Sequence, residues 1–246
     1  LIRKAFPLLA AALLVSTLGS AHAQTSAPPT AFGKQLDKVD LSIAGVGLFN
    51  TTVTGPVLST LATNYCVSYP PAPAPPTGCG ANDITQFGSN TAGALVSIHY
   101  PVKPYIGLEF NYGYGRYTEN FEGPGVTNFL PTNTTHFQVQ TKVSEYTLGY
   151  LITPPHPVFG LQPFASVGVG AQAFKPTAFG GQEEPEKARM TYYYSLGLQK
   201  DVNQHLGLRL GFRQLFFLDP DFGQNYLTIL KHASTYEPMV GFYLRY

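Results

Sequence analysis

"YIGLEFNYGYGRY", Tyr105 to Tyr117, is the stretch that decides the fold. Ile106, Leu108, Phe110, Tyr112 and Tyr114 occupy one parity, and Gly107, Glu109, Asn111, Gly113 and Gly115 the other. A strand turns successive side chains to opposite faces, so this segment has one apolar, aromatic face and one small, polar face. Helical spacing would mix the two sets.

The same alternation recurs outward in both directions and predicts eight strands. The first, roughly 39–52, puts Leu41, Ile43 and Phe49 on one face. The second, roughly 90–101, sets Ala92, Ala94, Val96, Ile98 and Tyr100 against Gly93, Ser97 and His99. The opening segment is the third. The fourth, roughly 137–152, sets Tyr146, Leu148, Tyr150 and Ile152 against Glu145, Thr147 and Gly149; its first half keeps parity poorly, which predicts a bulge or an exposed stretch. The fifth to seventh cover roughly 161–174, 188–201 and 205–217. The eighth is "PMVGFYLRY", Pro238 to Tyr246, with Val240, Phe242, Leu244 and Tyr246 on its apolar face.

The connections alternate in length. Short ones ("VKP", "TPPHPVFG", "VNQ") follow the second, fourth and sixth strands; long ones, roughly 53–89, 119–136, 175–187 and 218–231, follow the odd strands. A transmembrane barrel has this asymmetry, with short turns on one side and longer loops on the other. The expected fold is therefore all-β: an eight-stranded antiparallel up-and-down transmembrane barrel.

Two barrels share this alternation and differ in which face points out. A soluble lipocalin-like ligand binder turns the apolar face inward, and a membrane barrel inverts it. Glycine on the second face suits a cramped interior. The tyrosines and phenylalanines near the strand ends suit interfacial girdles. The charges Glu109, Glu145, Arg189, Arg209 and Arg213 lie on that second face and form a candidate lumen network. Glu109 and Glu145 would pair with Arg209, Arg213 or Arg189, or each would line a small water pocket separately. Eight strands leave no room for a broad aqueous channel.

Arg3 and Lys4, an apolar run from Ala5 to Leu18 and "AHAQ" (Ala21 to Gln24) form a secretory-signal pattern, predicting cleavage after Ala23. Residues 24–36 then read as a flexible leader and 37–246 as the barrel. Without residues 1–23 the chain carries 13 basic and 14 acidic side chains, giving no electrostatic reason for a nucleic-acid partner. Charged residues are only 12% of the sequence, low for a water-facing surface. Cys66 and Cys79 are expected to form a disulfide that, with the intervening prolines, stiffens the long first outer loop.

"PFASVGVGA" (Pro163 to Ala171), "YSLGLQKDVNQHLGLRLGFR" (Tyr194 to Arg213) and "VGFYLRY" (Val240 to Tyr246) resemble the phrases of small eight-stranded outer-membrane barrels, the OmpA-like and OmpX-like domains of Gram-negative bacteria. The resemblance implies an outer-membrane location, outer-membrane lipids as surroundings and a monomeric state. It also implies that the barrel-assembly machinery reads Val240, Phe242, Leu244 and Tyr246. No cofactor is expected, and the extracellular partner is left open. The chain departs from full-length OmpA in lacking a peptidoglycan-binding domain after the barrel, so no cell-wall anchoring role is expected. Some such barrels modify lipid A, and "KHASTYE" contains His232, Ser234 and Glu237, but alternation puts Glu237 on the opposite face from the other two. The scattered histidines show no metal-ligand spacing. The expected function is non-enzymatic: envelope integrity or surface interaction through the outer loops, the alternatives being a lipid A-modifying enzyme on the same barrel and the soluble ligand binder.

Overall fold

The structure is a computed structural model, and it describes residues 39–56, 83–123, 135–223 and 228–245. The predicted signal (1–23), leader (24–36), Cys66, Cys79 and Tyr246 lie outside the described residues. The described strands are β1 (Asp40–Asn50), β2 (Val53–Pro56), β3 (Asp83–Gly88), β4 (Thr91–Lys103), β5 (Ile106–Gly123), β6 (Thr135–Ile152), β7 (Gln162–Pro176), β8 (Lys187–Asp201), β9 (Leu206–Leu218) and β10 (His232–Arg245).

Eight of them close into a ring in the order β5-β4-β1-β10-β9-β8-β7-β6, with β6 returning to β5. Every adjacent pair is antiparallel. The closing ladder between the first and last barrel strands runs from Asp40↔Arg245 to Asn50↔Thr235 and skips the rungs opposite Pro238 and Glu237. Proline has no N–H to donate, so a gap at this point has a local chemical cause.

β2 and β3 are not extra staves. β2 continues β1 after a two-residue break, and β3 leads into β4, so both fall inside the segment 53–89 expected to be loop. The register of this edge against β5 shifts by one residue across Ser89 and Asn90, a bulge that bends the hairpin at the barrel rim. β10 likewise starts at His232, earlier than the alternation suggested, and β5 runs on to Gly123. The first half of β6 is regular: its pairing with β5 is unbroken from Ile106↔Ile152 to Gly123↔Thr135, so no bulge is present there.

The outward residues form successive rows. Ile106, Leu108, Phe110, Tyr112 and Tyr114 stand beside Ile152, Tyr150, Leu148, Tyr146 and Ser144, and these beside Ala165, Val167, Val169, Ala171 and Ala173. Nine residues of strand run for roughly 27 Å, or about 21 Å along the axis of a barrel whose strands tilt by about 40°. An exposed apolar belt of that height matches the lipid-facing band of a transmembrane barrel. Aromatic pairs edge it, among them Tyr112–Tyr146 at 5.2 Å and Phe212–Tyr236 at 6.0 Å between ring centres.

Above the belt the polarity reverses. On β6 the outward residues become Lys142, Gln140 and Gln138, while Val143, Thr141 and Val139 turn inward and are buried. This explains the poor parity of 137–142: the alternation persists, but water has replaced hydrocarbon outside it. The buried apolar cluster of this upper tier includes Ile84, Phe121, Val139, Phe174, Leu215 and Phe217. The upper barrel thus has the inside-apolar construction of a water-soluble protein.

Candidate functional site

Three tiers fill the interior. The lowest is built on Glu109 of β5, which is 2% exposed. Its Oε1 accepts hydrogen bonds from Asn111 Nδ2 (2.9 Å), Ser166 Oγ (3.0 Å) and Tyr193 Oη (3.1 Å). Its Oε2 accepts from Arg209 Nη2 at 3.0 Å. His99 Nε2 lies 2.9 Å from the same oxygen and 2.5 Å from Arg209 Nη1, and that one nitrogen can serve only one of them at a time. The Arg209 guanidinium also stacks on Phe164, 3.9 Å from the ring centre.

The middle tier is built on Arg213, 1% exposed, which lies between two buried carboxylates. Nη2 is 2.5 Å from Glu145 Oε1 and Nη1 is 3.3 Å from Glu145 Oε2, a forked contact. The same Nη1 donates to Glu237 Oε2 at 2.9 Å. Thr147 Oγ1 adds a hydrogen bond to Glu145. Beside this tier lies a cavity of about 20 Å³, lined in part by Gly113, Val143, Gln172 and Thr235 and large enough for one water molecule.

Inward aromatics fit because glycines clear the floor beneath them. Gly149 and Gly168 face each other across β6 and β7, and a Cβ on either would come within 2.5 Å of Tyr193. Gly197 and Gly211 form a similar pair beneath Phe164.

The structure thus sets Glu109 against Arg209 and Glu145 against Arg213, and it places Arg189 elsewhere. Arg189 Nη2 lies 2.9 Å from Asp221 Oδ2 in the third tier, the outer mouth. Here the chain after β9 folds inward. Asp221 also meets Lys187 Nζ at 3.2 Å and accepts from the Gly223 N–H and the Thr228 hydroxyl. Gln86 Nε2 donates to the Pro220 carbonyl at 2.8 Å. Between them Phe222, fully buried, packs edge-on against Phe121 at 6.3 Å. Phe222 has φ +49 and Gly223 φ +78; the left-handed turn at Phe222 is sterically unfavourable for an aromatic side chain and is held by its neighbours.

Glu119 and Asp219 are buried in this mouth, above the membrane belt. Burial pushes the Glu119 carboxyl up to about 7, against hydrogen bonds from Tyr117 and Gln86. Burial and the neighbouring Glu119 charge push Asp219 up to about 9, with Arg189 opposing. Both folded-state values exceed the unfolded ones, so the folded mouth holds more protons. The contribution of these two carboxyls is full below about pH 4 and falls as pH rises through 7 to 9. Asp221, held low against its burial by its hydrogen bonds and by Arg189, loses its contribution only at acid pH. The urea midpoint of the aromatic near-UV circular dichroism signal is therefore expected to be higher at pH 5 than at pH 9. Asp219→Asn together with Glu119→Gln should flatten that dependence; an unchanged slope would show that these carboxyls do not set it.

Sequence reading missed Glu237 as a lumen charge, although it shares the parity of Gly241 and Arg245. It also treated His99 as an isolated histidine. Asp219, Asp221 and Phe222 lie in a connection, where no alternation points to the interior. The triad suggested by His232, Ser234 and Glu237 is not assembled: His232 is exposed, Ser234 is half-buried on the outer parity, and Glu237 is inside against Arg213.

No protein-family model and no curated protein matches the chain. Among solved structures, the outer membrane protein OprG from Pseudomonas aeruginosa is similar with a TM-score of 0.52 at 10% identity, over 85% of this chain and 95% of that one. Neisserial surface protein A gives 0.45 at 9% identity over 84% and 97%. The architecture rests on the closed ring and the OprG match: the chain has the fold of the small eight-stranded outer-membrane barrels.

Proposed function

We propose that the protein is a non-enzymatic outer-membrane barrel that works through the loops and mouth at its outer end. The observation that carries this reading is the reversal of polarity along β5, β6 and β7. Their outer faces are apolar through a belt about 21 Å tall and polar above it. In this reading residues 1–23 are the export signal and the last strand is read by the assembly machinery. A lumen closed by charge pairs and aromatics supports a scaffold in preference to a pore. The mouth, where the chain after β9 docks between β3, β5 and β8, is the part held in water and supplies the surface for recognition or for envelope integrity.

Membrane fractionation combined with gel migration before and after boiling tests the reading. Sedimentation with the outer membrane and a boiling-dependent shift are expected. Recovery in the soluble periplasm would overturn it.

A further inference from the structure

Arg116, Lys142 and Lys175 stand side by side on three adjacent strands. Arg116 pairs in register with Lys142 across β5 and β6, and Lys142 with Lys175 across β6 and β7. All three point outward and are exposed. Each lies one outward step above the belt, directly beyond Tyr114, Ser144 and Ala173. Directly opposed residues on neighbouring strands have Cβ atoms roughly 5 Å apart, and like charges there are destabilising. Two consecutive like-charged pairs break that rule, and such local breaks concentrate where something outside the fold compensates for them.

The chain itself offers little neutralisation. Lys175 has one exposed carboxylate, Glu186, at 3.6 Å, a pair weakened by solvent screening. Arg116 Nη2 donates to the neutral Gln140 amide at 3.1 Å. Among the described residues Lys142 has no ion-pair partner, and the segments 57–82, 124–134 and 224–227 contain no Asp or Glu. The outward residues Ala188, Leu218, Ser234, Phe49 and Ala92 near the outer ends of other barrel strands carry no charge, although Asp83 opens β3 and exposed Lys231 precedes β10. Among the outward residues in the upper halves of the described barrel strands, the arginine and lysine side chains are therefore gathered on β5, β6 and β7. Strand tilt makes the row climb by roughly 6 Å across the three strands, which keeps it within the headgroup layer just outside the hydrocarbon.

We infer that Arg116, Lys142 and Lys175 form a docking row for the phosphate groups of a lipid of the outer leaflet. This rests on the membrane-spanning reading above. An ammonium–guanidinium row at headgroup depth binds phosphate by charge-assisted hydrogen bonds, with Arg116 providing the planar fork and the two lysines point charges. The lipid chains then lie along the apolar rows directly beneath, continuing from Tyr114 to Ile106 on β5 and their partners on β6 and β7.

The test uses the full chain refolded in a neutral detergent, as wild type and as the triple variant Arg116→Gln, Lys142→Gln, Lys175→Gln. Heat-modifiable migration of both proteins in plain detergent reports separately on the barrel itself. Without additive the variant is expected to melt no lower than wild type, since removing like-charge repulsion costs nothing; a purely structural row would give a loss. Lipid A carrying its phosphates should raise the wild-type midpoint in a concentration-dependent manner that weakens at high salt. The rise should be absent in the triple variant and with dephosphorylated lipid A. Equal rises in the two proteins, no rise in wild type, or an equal rise with inorganic phosphate at matched concentration would each overturn the inference. Should the triple variant fail to refold, Lys142→Gln alone is expected to refold and to lose most of the shift, and a full shift there would overturn it as well.

Discussion

Arg213→Met is expected to lower the stability of the barrel more than any surface change, by about 3–5 kcal/mol, the usual loss when one member of a buried ion pair is removed. Arginine is fully enclosed there, and its loss leaves Glu145 and Glu237 facing each other without a cation. Methionine fills much of the same volume, so the loss reports charge more than packing. Adding Glu145→Gln and Glu237→Gln to the variant should recover much of it, because a neutral lumen of similar shape has no isolated charge to bury. Urea titration in detergent gives both midpoints. A triple variant as weak as Arg213→Met alone would show that the guanidinium acts through packing.

Phe222→Ala should unfasten the mouth while leaving the belt in place. Removing a fully buried phenylalanine ring costs about 3–5 kcal/mol, and here the cost falls on a turn already held in a left-handed conformation. The expected result is rapid proteolytic cleavage between Asp219 and Lys231 in a barrel that still migrates as folded before boiling. Cleavage no faster than in wild type would place the hold on Asp221 and its cations instead. Loss of the boiling-dependent shift would mean that the upper tier and the belt unfold together.

The barrel was legible in the sequence because period two survives any environment. Tyr105 to Tyr117 announces two faces whether lipid or water lies beyond them. The sign of that alternation is a different matter. It changes on β6 near Lys142, and a pattern that assumes one outside along a whole strand sees only confusion there. Glu109, Glu145, Arg209 and Arg213 were legible as inward charges from parity, while their pairing needed the stagger between strands. Arg189 had the correct parity and a different destination, because the mouth brings Asp221 to it from a connection. Phe222 and Asp219 had no periodic context at all. The inward Tyr193 was hidden for another reason: its place depends on Gly149 and Gly168, which lie on two other strands.

The reversal of polarity partway up the wall also bears on how such a molecule can change over time. Its lower half must satisfy oil on the outside and salt pairs within, so a substitution there is judged by the bilayer. Its upper half obeys the opposite grammar, that of an ordinary protein in water, and is judged by packing around Phe121, Phe174 and Phe217. Variation can then accumulate above Lys142 without rewriting the part enclosed by the belt.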